Sequence, residues 1–179
     1  AGRKKAKKQL LWMIDFFEQQ GYLVDVYETK QSLDALDRAK KAKGKYDLVI
    51  ACGGDGTINE AINGLATSKT PLGVLPLGTE NVLARELKIP KNLRAACRKI
   101  AFGHVKQVDL GKLTAQPTKK DKKRGMKKVN RYFILMCGVG FGAHVADTVA
   151  KDKTKLKKLL GSVSYPIIAV QQFFKYKQK

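Results

Sequence analysis

The chain has 179 residues, of which 44% are hydrophobic and 28% charged, so it carries enough apolar material for a folded core. This composition excludes a wholly disordered or collagen-like chain. Its 36 Lys and Arg residues exceed its 15 Asp and Glu residues and give a formal net charge of +21. A field of that sign attracts polyanions, namely nucleic acid, nucleotide phosphates or an anionic membrane surface.

Two further features of the sequence indicate the cellular compartment of the protein. No stretch reaches the ~18 consecutive apolar residues that a membrane span requires, and the opening residues lack the apolar region of a signal peptide. Three cysteines, Cys52, Cys97 and Cys137, are far apart and include no Cys-x-x-Cys pair. Neither a disulfide framework nor a zinc site is therefore predicted, and we expect a soluble, cytoplasmic protein.

The first elements of the chain follow from apolar spacing and turn residues. Apolar residues at helical spacing predict a helix over residues 4–20, ended by Gly21. Residues 22–27 have the composition of a strand, and Ser32 is the expected N-cap of the helix that follows. The chain thus begins with a helix, a strand and a second helix.

Two strand, turn and helix units come next. Residues 46–52 form an apolar run that ends at two glycines, and residues 57–65 have helical spacing. Residues 72–75 repeat the plan, with a turn over 76–78 and a helix over 79–87. Strands that alternate with helices predict an α/β domain over residues 1–103, with a mostly parallel sheet covered on both faces.

The pattern changes after Gly103. Residues 104–113 and 131–139 read as two strands in succession, which is typical of antiparallel pairing, and residues 145–179 read as interrupted helix. We therefore predict that a β-rich second domain begins at residue 104 and is incomplete at residue 179, because so few elements cannot form a compact domain.

The segment Gly53-Gly54-Asp55-Gly56-Thr57 carries the clearest chemical signal. Three glycines let backbone N–H groups approach a bound phosphate, and the following helix directs its positive end to the same place. Asp55 has two interpretations here, which the pentapeptide leaves open. It either holds Mg²⁺ or takes a proton from an attacking hydroxyl, or it is a turn residue that caps the helix starting near Thr57.

A second polar turn, Leu77-Gly78-Thr79-Glu80-Asn81, follows the next strand. Adjacent parallel strands end ~5 Å apart, so one ligand can touch both turns. The alternative is structural, with Thr79 as an N-cap and Asn81 inside the first helical turn.

These motifs occur in a characteristic order. The pentapeptide is followed at once by Ile58-Asn59-Glu60-Ala61-Ile62-Asn63-Gly64-Leu65, and the Gly-Thr-x-Asn turn, Val108-Asp109-Leu110-Gly111 and Gly138-Val139-Gly140-Phe141 come later. The set resembles the diacylglycerol kinase catalytic domain family, whose fold is the NAD kinase/phosphofructokinase-like one. NAD kinases share the pentapeptide, whereas the Asn-Glu pair and the second turn resemble the lipid kinases.

The resemblance implies ATP-dependent phosphorylation of a lipid hydroxyl, such as that of diacylglycerol, with ATP and Mg²⁺ as cofactors. Asp55 would be the catalytic acidic group nearest the transferred phosphoryl, and the metal ligands are not assigned. The nucleotide-binding residues that the resemblance implies are Thr29, Gly53, Gly54, Asp55, Gly56, Thr57, Ile58, Asn59, Thr79 and Asn81. Backbone N–H groups and Mg²⁺ should carry more of the catalysis than one base.

The chain also departs from the family pattern. Its opening Ala1-Gly2-Arg3 resembles the tail of an Asn-Pro-x-x-Gly motif, so we expect the family's first strand to be absent from this sequence. Val82 and Gly142 occupy positions where many members have Asp. The acidic residue proposed as general base in bacterial members would lie beyond residue 179.

The segment between the two late strands is strongly basic. Its basic residues are Lys119, Lys120, Lys122, Lys123, Arg124, Lys127 and Lys128. They form either a solvated loop or a contact with an anionic membrane surface, where each basic residue contributes ~1 kcal/mol. Aromatic residues are not interleaved with them, so nucleic acid is not the expected partner.

We therefore expect a cytoplasmic, peripherally membrane-associated lipid kinase that forms a homodimer. The alternatives are an NAD kinase-like or other small-molecule kinase and, more distantly, a non-enzymatic basic binding module.

Overall fold

The computed structural model describes residues 2–117, 129–151 and 164–173. Contacts divide the chain into two compact units, Ala1–Leu135 and Met136–Lys179. The described elements of the first unit are α1 (Gly2–Gln19), α2 (Asp34–Ala42), β1 (Val49–Gly53), α3 (Asp55–Leu65), β2 (Leu72–Pro76), α4 (Val82–Glu86), α5 (Leu93–Phe102), β3 (Gly111–Ala115) and β4 (Val129–Phe133). The second unit contains α6 (Phe141–Lys151) and α7 (Ser164–Phe173).

The parallel pair β1–β2 is the centre of the first unit. Its register runs from Val49 opposite Leu72 to Gly53 opposite Pro76, with α3 as the connection. Successive residues of a strand face opposite sides of the sheet. Ala51 and Val74 accordingly pack with α2, α3 and α4 on one side. The predicted α/β fold with a parallel sheet is confirmed.

Helices α1 and α5 cover the other side of this sheet. Leu75 of β2 packs there with Met13 and Phe17 of α1 and with Ala96 and Cys97 of α5. The helix predicted over residues 4–20 is present, and Gly21 follows it at φ +84°, the left-handed conformation in which glycine commonly ends a helix. Helix α5 was not predicted as a separate element, although Asn92 caps it by accepting a hydrogen bond from the Ala95 N–H at 3.1 Å.

Two predictions for the early elements are wrong. Residues 22–27 form no strand, because no other described strand pairs with their backbone, and Leu23 is fully exposed. Side chains anchor the segment instead, as in the 2.8 Å hydrogen bond from Tyr46 Oη to Asp25 Oδ2. The N-cap position of α2 is Leu33 at φ 74°, and Ser32 does not cap the helix.

The antiparallel hairpin β3–β4 lies in the first unit. Gly111 pairs with Phe133 and Ala115 with Val129, so both strands are shorter than predicted and shifted relative to residues 104–113 and 131–139. Leu110 and Ile134, at the outer ends of the hairpin, pack against the core formed with α2 and α3. The boundary after residue 103 between an α/β and a β-rich domain stays a prediction.

In the part of the second unit that the structure describes, two helices pack together. Val145, Val149 and Ile168 form its small core, and the rings of Phe141 and Phe173 meet edge to face with centroids 6.0 Å apart. Within the ranges that the structure describes, no helix is both long and apolar enough to cross a bilayer.

Candidate active site

The two polar turns meet at the carboxyl edge of the parallel pair. The Leu77 N–H donates to the Gly53 carbonyl at 3.0 Å, so strand pairing continues to the start of each turn. A Cβ atom on Gly78 would lie 2.5 Å from Gly54 Cα, closer than any side chain permits. Position 78 therefore requires glycine, because the backbones of the two turns are in van der Waals contact. The two turns lie side by side, as the sequence predicted.

Asn81 holds the second turn closed. Its Oδ1 accepts from the Gly78 N–H at 2.9 Å, and its Nδ2 donates to the Gly78 carbonyl at 2.6 Å. Asn81 itself is buried and adopts a left-handed conformation at φ 49°. It stands at the N-cap position of α4, so the structural alternative with Thr79 as the cap is wrong. Asn81 thus shapes the site from inside the turn, and its contact with a nucleotide stays a prediction.

The first turn of α3 presents bare backbone. Gly54 is the N-cap residue in an extended conformation and provides no side-chain cap. The first hydrogen bond of the helix runs from the Ile58 N–H to the Gly54 carbonyl at 3.1 Å, which leaves the preceding N–H groups without a partner inside the helix. A Cβ atom on Gly56 would meet nothing within 4 Å. An anion can therefore approach this end of α3 closely.

Asp55 has a structural contact that its place in the sequence did not reveal. Its Oδ1 accepts from the Leu83 N–H, in the first turn of α4, at 3.3 Å. We expected Asp55, if it was a capping residue, to cap the helix that it begins. It ties the first turn to α4 instead, and its half-buried carboxylate stays at the edge where the two turns meet.

The remaining predicted nucleotide residues lie in different environments. Ile58 is fully buried in the core, so only its backbone is near the turn. Thr57 packs against Gly53, where a Cβ atom would lie 2.8 Å from Thr57 Cβ. Asn59 and Thr79 are exposed, and Thr29 is exposed in the irregular segment before α2. The contacts of these residues with a nucleotide stay predictions.

Two polar residues of α3 have structural partners that the sequence analysis missed. Glu60 Oε1 accepts from the Leu33 N–H at 3.0 Å and so stabilises the start of α2. Buried Asn63 donates to the Tyr132 carbonyl at 2.9 Å and accepts from the Tyr132 N–H at 2.8 Å. The available signal was a polar residue at position 63 on the otherwise apolar face of a helix.

The acidic residues of the site bear on how a metal could be held. The described ranges contain no group of three or more His, Cys, Asp or Glu residues that could hold a metal ion. The two turns contribute two acidic side chains, the half-buried Asp55 and the exposed Glu80. Mg²⁺ commonly binds one or two carboxylates together with phosphate oxygens, and Asp55 lies where the two turns meet. Asp55 therefore fits as one ligand of a nucleotide-bound metal ion.

Comparison with known proteins places these features in a family. A family model described as the diacylglycerol kinase catalytic domain matches residues 1–113, which is more than half of the chain. A diacylglycerol kinase of Bacillus subtilis (strain 168) is 36% identical over 169 residues, covering 92% of this chain and 50% of the relative. A diacylglycerol kinase of Staphylococcus aureus (strain MRSA252) is 34% identical over 170 residues, covering 93% of this chain and 48% of the relative.

A solved structure of a diacylglycerol kinase from Bacillus anthracis str. Sterne is also similar, with 38% identity and a TM-score of 0.46. The match covers 49% of this chain and 33% of that one. The chain spans about half the length of the curated relatives that it matches. The match to the family model over the α/β elements and both glycine turns shows that the chain belongs to the diacylglycerol kinase catalytic domain family.

Proposed function

We propose that the protein is an ATP-dependent lipid kinase, which transfers the γ-phosphoryl group of ATP to the hydroxyl of diacylglycerol or a related lipid. The observation that carries the proposal is the uncapped first turn of α3, with open space at Gly56, in contact with the Gly78 turn. Three relatives that match this chain are named diacylglycerol kinase.

The first turn of α3 binds the phosphates of the nucleotide. Its backbone N–H groups donate to phosphate oxygens, and the positive end of the helix favours their charge. Gly78, held against Gly54, keeps the second turn close enough to contact the same phosphates. Because these donors are fixed by packing, they need little rearrangement when charge develops during transfer.

Asp55 acts beside the transferred phosphoryl group. When bound, Mg²⁺ neutralises the negative charge that spreads over the phosphoryl oxygens. Asp55 is the residue that would hold the ion, through its carboxylate next to the phosphate turn. Its hydrogen bond to the Leu83 N–H fixes the orientation of that carboxylate.

Nucleotide binding is tested with two substitutions at Gly54 in the intact protein. Gly54 has the extended conformation of an N-cap residue (φ −87°, ψ −179°), so Asp at this position would accept from the free N–H groups of α3. A Cβ atom at position 54 would lie 3.3 Å from Gly78 Cα, so the second turn must shift slightly, and Gly54→Asp should occupy the free donors and repel phosphate. Calorimetry should then detect no ATP·Mg binding.

The matched variants separate capping from charge. Gly54→Ser caps the helix without charge and should retain weakened binding, whereas Gln107→Asp adds the same charge at an exposed position outside both turns and should bind normally. Unchanged ATP affinity in Gly54→Asp would place the nucleotide elsewhere.

The catalytic role of Asp55 is tested with Asp55→Asn. The Asn oxygen still accepts from the Leu83 N–H, so the variant removes charge and keeps the connection to α4. Lipid phosphorylation should fall by at least 100-fold, the scale of a lost electrostatic contribution in a transition state, with unchanged thermal unfolding. Near-normal turnover would show that Asp55 only supports the turn.

We further propose that the enzyme reaches its lipid as a peripheral protein at the cytoplasmic face of an anionic membrane. The net charge of +21 supports this, and the basic segment 119–128 lies outside the described residues. Co-sedimentation with anionic vesicles should fall steeply with salt, since surface charges are screened over ~8 Å at physiological ionic strength. Glutamine at the seven basic positions should reduce vesicle binding but not ATP binding, and unchanged partitioning would contradict the proposal. The homodimer stays a prediction.

A further inference from the structure

Asn63 connects two parts of the first unit that lie far apart in the sequence. It sits in the last turn of α3, the helix that begins at the phosphate turn, and it contacts Tyr132 of β4, 69 residues away. A side-chain amide has one acceptor and one donor group arranged like those of a peptide bond. Asn63 therefore pairs with the Tyr132 backbone as a neighbouring strand would.

This pairing occupies the edge of β4 that faces away from β3. Tyr132 lies opposite Lys112 in the hairpin register, and both its N–H and its C=O are bound by Asn63. In an antiparallel pair, alternate residues direct their backbone groups away from the partner strand. Asn63 thus satisfies polar groups that would otherwise be half-buried without a partner, and it sets the position of the hairpin on α3.

The amide of Asn63 also reaches towards the candidate nucleotide site. Its Nδ2 lies 2.9 Å from the Asn59 carbonyl, 3.3 Å from Asn59 Oδ1 and 2.9 Å from the Tyr132 carbonyl. Three acceptors therefore share two hydrogens. The contact with Asn59 Oδ1 is the longest of the three. The Asn59 side chain is exposed, so it can rotate away from Asn63.

We propose that Asn63 is a positioning residue that couples nucleotide binding to the β3–β4 hairpin. This rests on the proposed function and on the prediction that Asn59 contacts the bound nucleotide. When the Asn59 amide turns to donate to a phosphate oxygen, Asn59 Oδ1 stops competing for the Asn63 hydrogens. The bond from Asn63 to the Tyr132 carbonyl then strengthens, and the hairpin is held more firmly on α3.

Hydrogen exchange at the hairpin amides of the intact protein tests the coupling. Saturating ATP·Mg should slow exchange at Tyr132 by about fivefold, the factor that one hydrogen bond of ordinary strength contributes. Asn59→Ala removes the competing oxygen from an exposed position, where it should not disturb folding. This variant should show the slow exchange without any nucleotide.

Two variants complete the design. Asn63→Asp keeps the acceptor for the Tyr132 N–H but replaces the donor with an oxygen, so the ATP response should disappear. Asn130→Asp changes an exposed asparagine of the same strand, which Thr114 Oγ1 contacts at 3.0 Å, and should keep the response.

The outcomes distinguish this inference from the proposed function. Normal ATP binding by calorimetry with no change at Tyr132, together with unaltered exchange in Asn59→Ala, would overturn the coupling and leave the kinase proposal standing. A wild-type protein that binds no ATP would overturn both the proposed function and the coupling to nucleotide. An ATP response that persists in Asn63→Asp would overturn the role of Asn63.

Discussion

The two strand pairs of the first unit are held in place by different forces. In the parallel pair, Leu75 and Val74 are 1% and 5% exposed, because helices cover both faces of the sheet. In the hairpin, Leu113 is 42% exposed, and most residues of β3 face solvent. Apolar burial therefore fixes the parallel pair, whereas the hairpin depends much more on specific polar contacts such as the Asn63–Tyr132 amide pair.

The difference between the parallel pair and the hairpin matches their roles in the proposed function. The parallel pair carries the two turns of the candidate phosphate site, and preorganised donors require a framework that does not move. The hairpin is held by bonds that can be exchanged at small cost in free energy, since an intramolecular hydrogen bond contributes ~1 kcal/mol. A rigid site beside an adjustable hairpin is the arrangement that the proposed coupling needs.

The largest expected effect comes from opening the core of the parallel pair. Leu75→Ala should lower the free energy of unfolding by about 3 kcal/mol, since it leaves a cavity between the sheet and α5. Leu113→Ala, the matched change in β3, should cost less than about 1 kcal/mol because that side chain is already partly exposed to solvent. Urea denaturation measures both, and equal losses would contradict the contrast between the two regions.

The next effect comes from forcing the two turns apart. Gly78→Ala places a methyl group 2.5 Å from Gly54 Cα and 2.8 Å from Asn81 Oδ1. The Gly54 backbone and the buried Asn81 amide cannot move away easily. The free energy of unfolding should therefore fall by ~2 kcal/mol, in the range of overpacked sites. Thermal unfolding and ATP calorimetry should both report a loss, and a variant as stable as the wild type would refute the close contact.

Gly56 should behave in the opposite way. Its Cβ position is open, and alanine favours a helix over glycine, so Gly56→Ala should raise the free energy of unfolding by about 0.5 kcal/mol. The same methyl group stands where phosphate is expected, so ATP affinity should fall while stability rises. Urea denaturation measures the change in stability, and calorimetry on the same preparation measures the change in ATP affinity. A gain or no change in affinity would show that phosphate does not approach Gly56.

The smallest effect concerns the reactivity of the cysteines. Cys137, after the hairpin, is exposed, whereas Cys97, on α5, is buried against β2, and its pKa is raised by that burial. Cys52 is exposed as well, but partial loss of hydration at its thiol, with a smaller contribution from Cys97, raises the pKa of Cys52 to about 11. Because the thiolate is the reactive form, iodoacetamide at pH 8 should label Cys137 first. Labelling of Cys52 should increase about tenfold per pH unit as the pH approaches 11, and early labelling of Cys97 would contradict its burial.

The sequence by itself determined the parallel pair, its glycine turns and the family. Apolar runs that end at Gly53 and at Gly78 are local patterns, and a strand that ends in a tight turn before a helix needs those residue types. The periodicity of α1 and α3 is equally local, which is why their positions could be predicted within a few residues.

The tertiary structure decided the partners of the polar residues. Asp55 meets Leu83, 28 residues later, and Asn63 meets Tyr132, 69 residues later, so neither contact leaves a periodic signal. Strand formation at residues 22–27 was equally undecidable from side chains that favour strands, because a strand exists only where another backbone supplies its hydrogen bonds. Side-chain type determines what a residue can bind, but the fold determines what it meets.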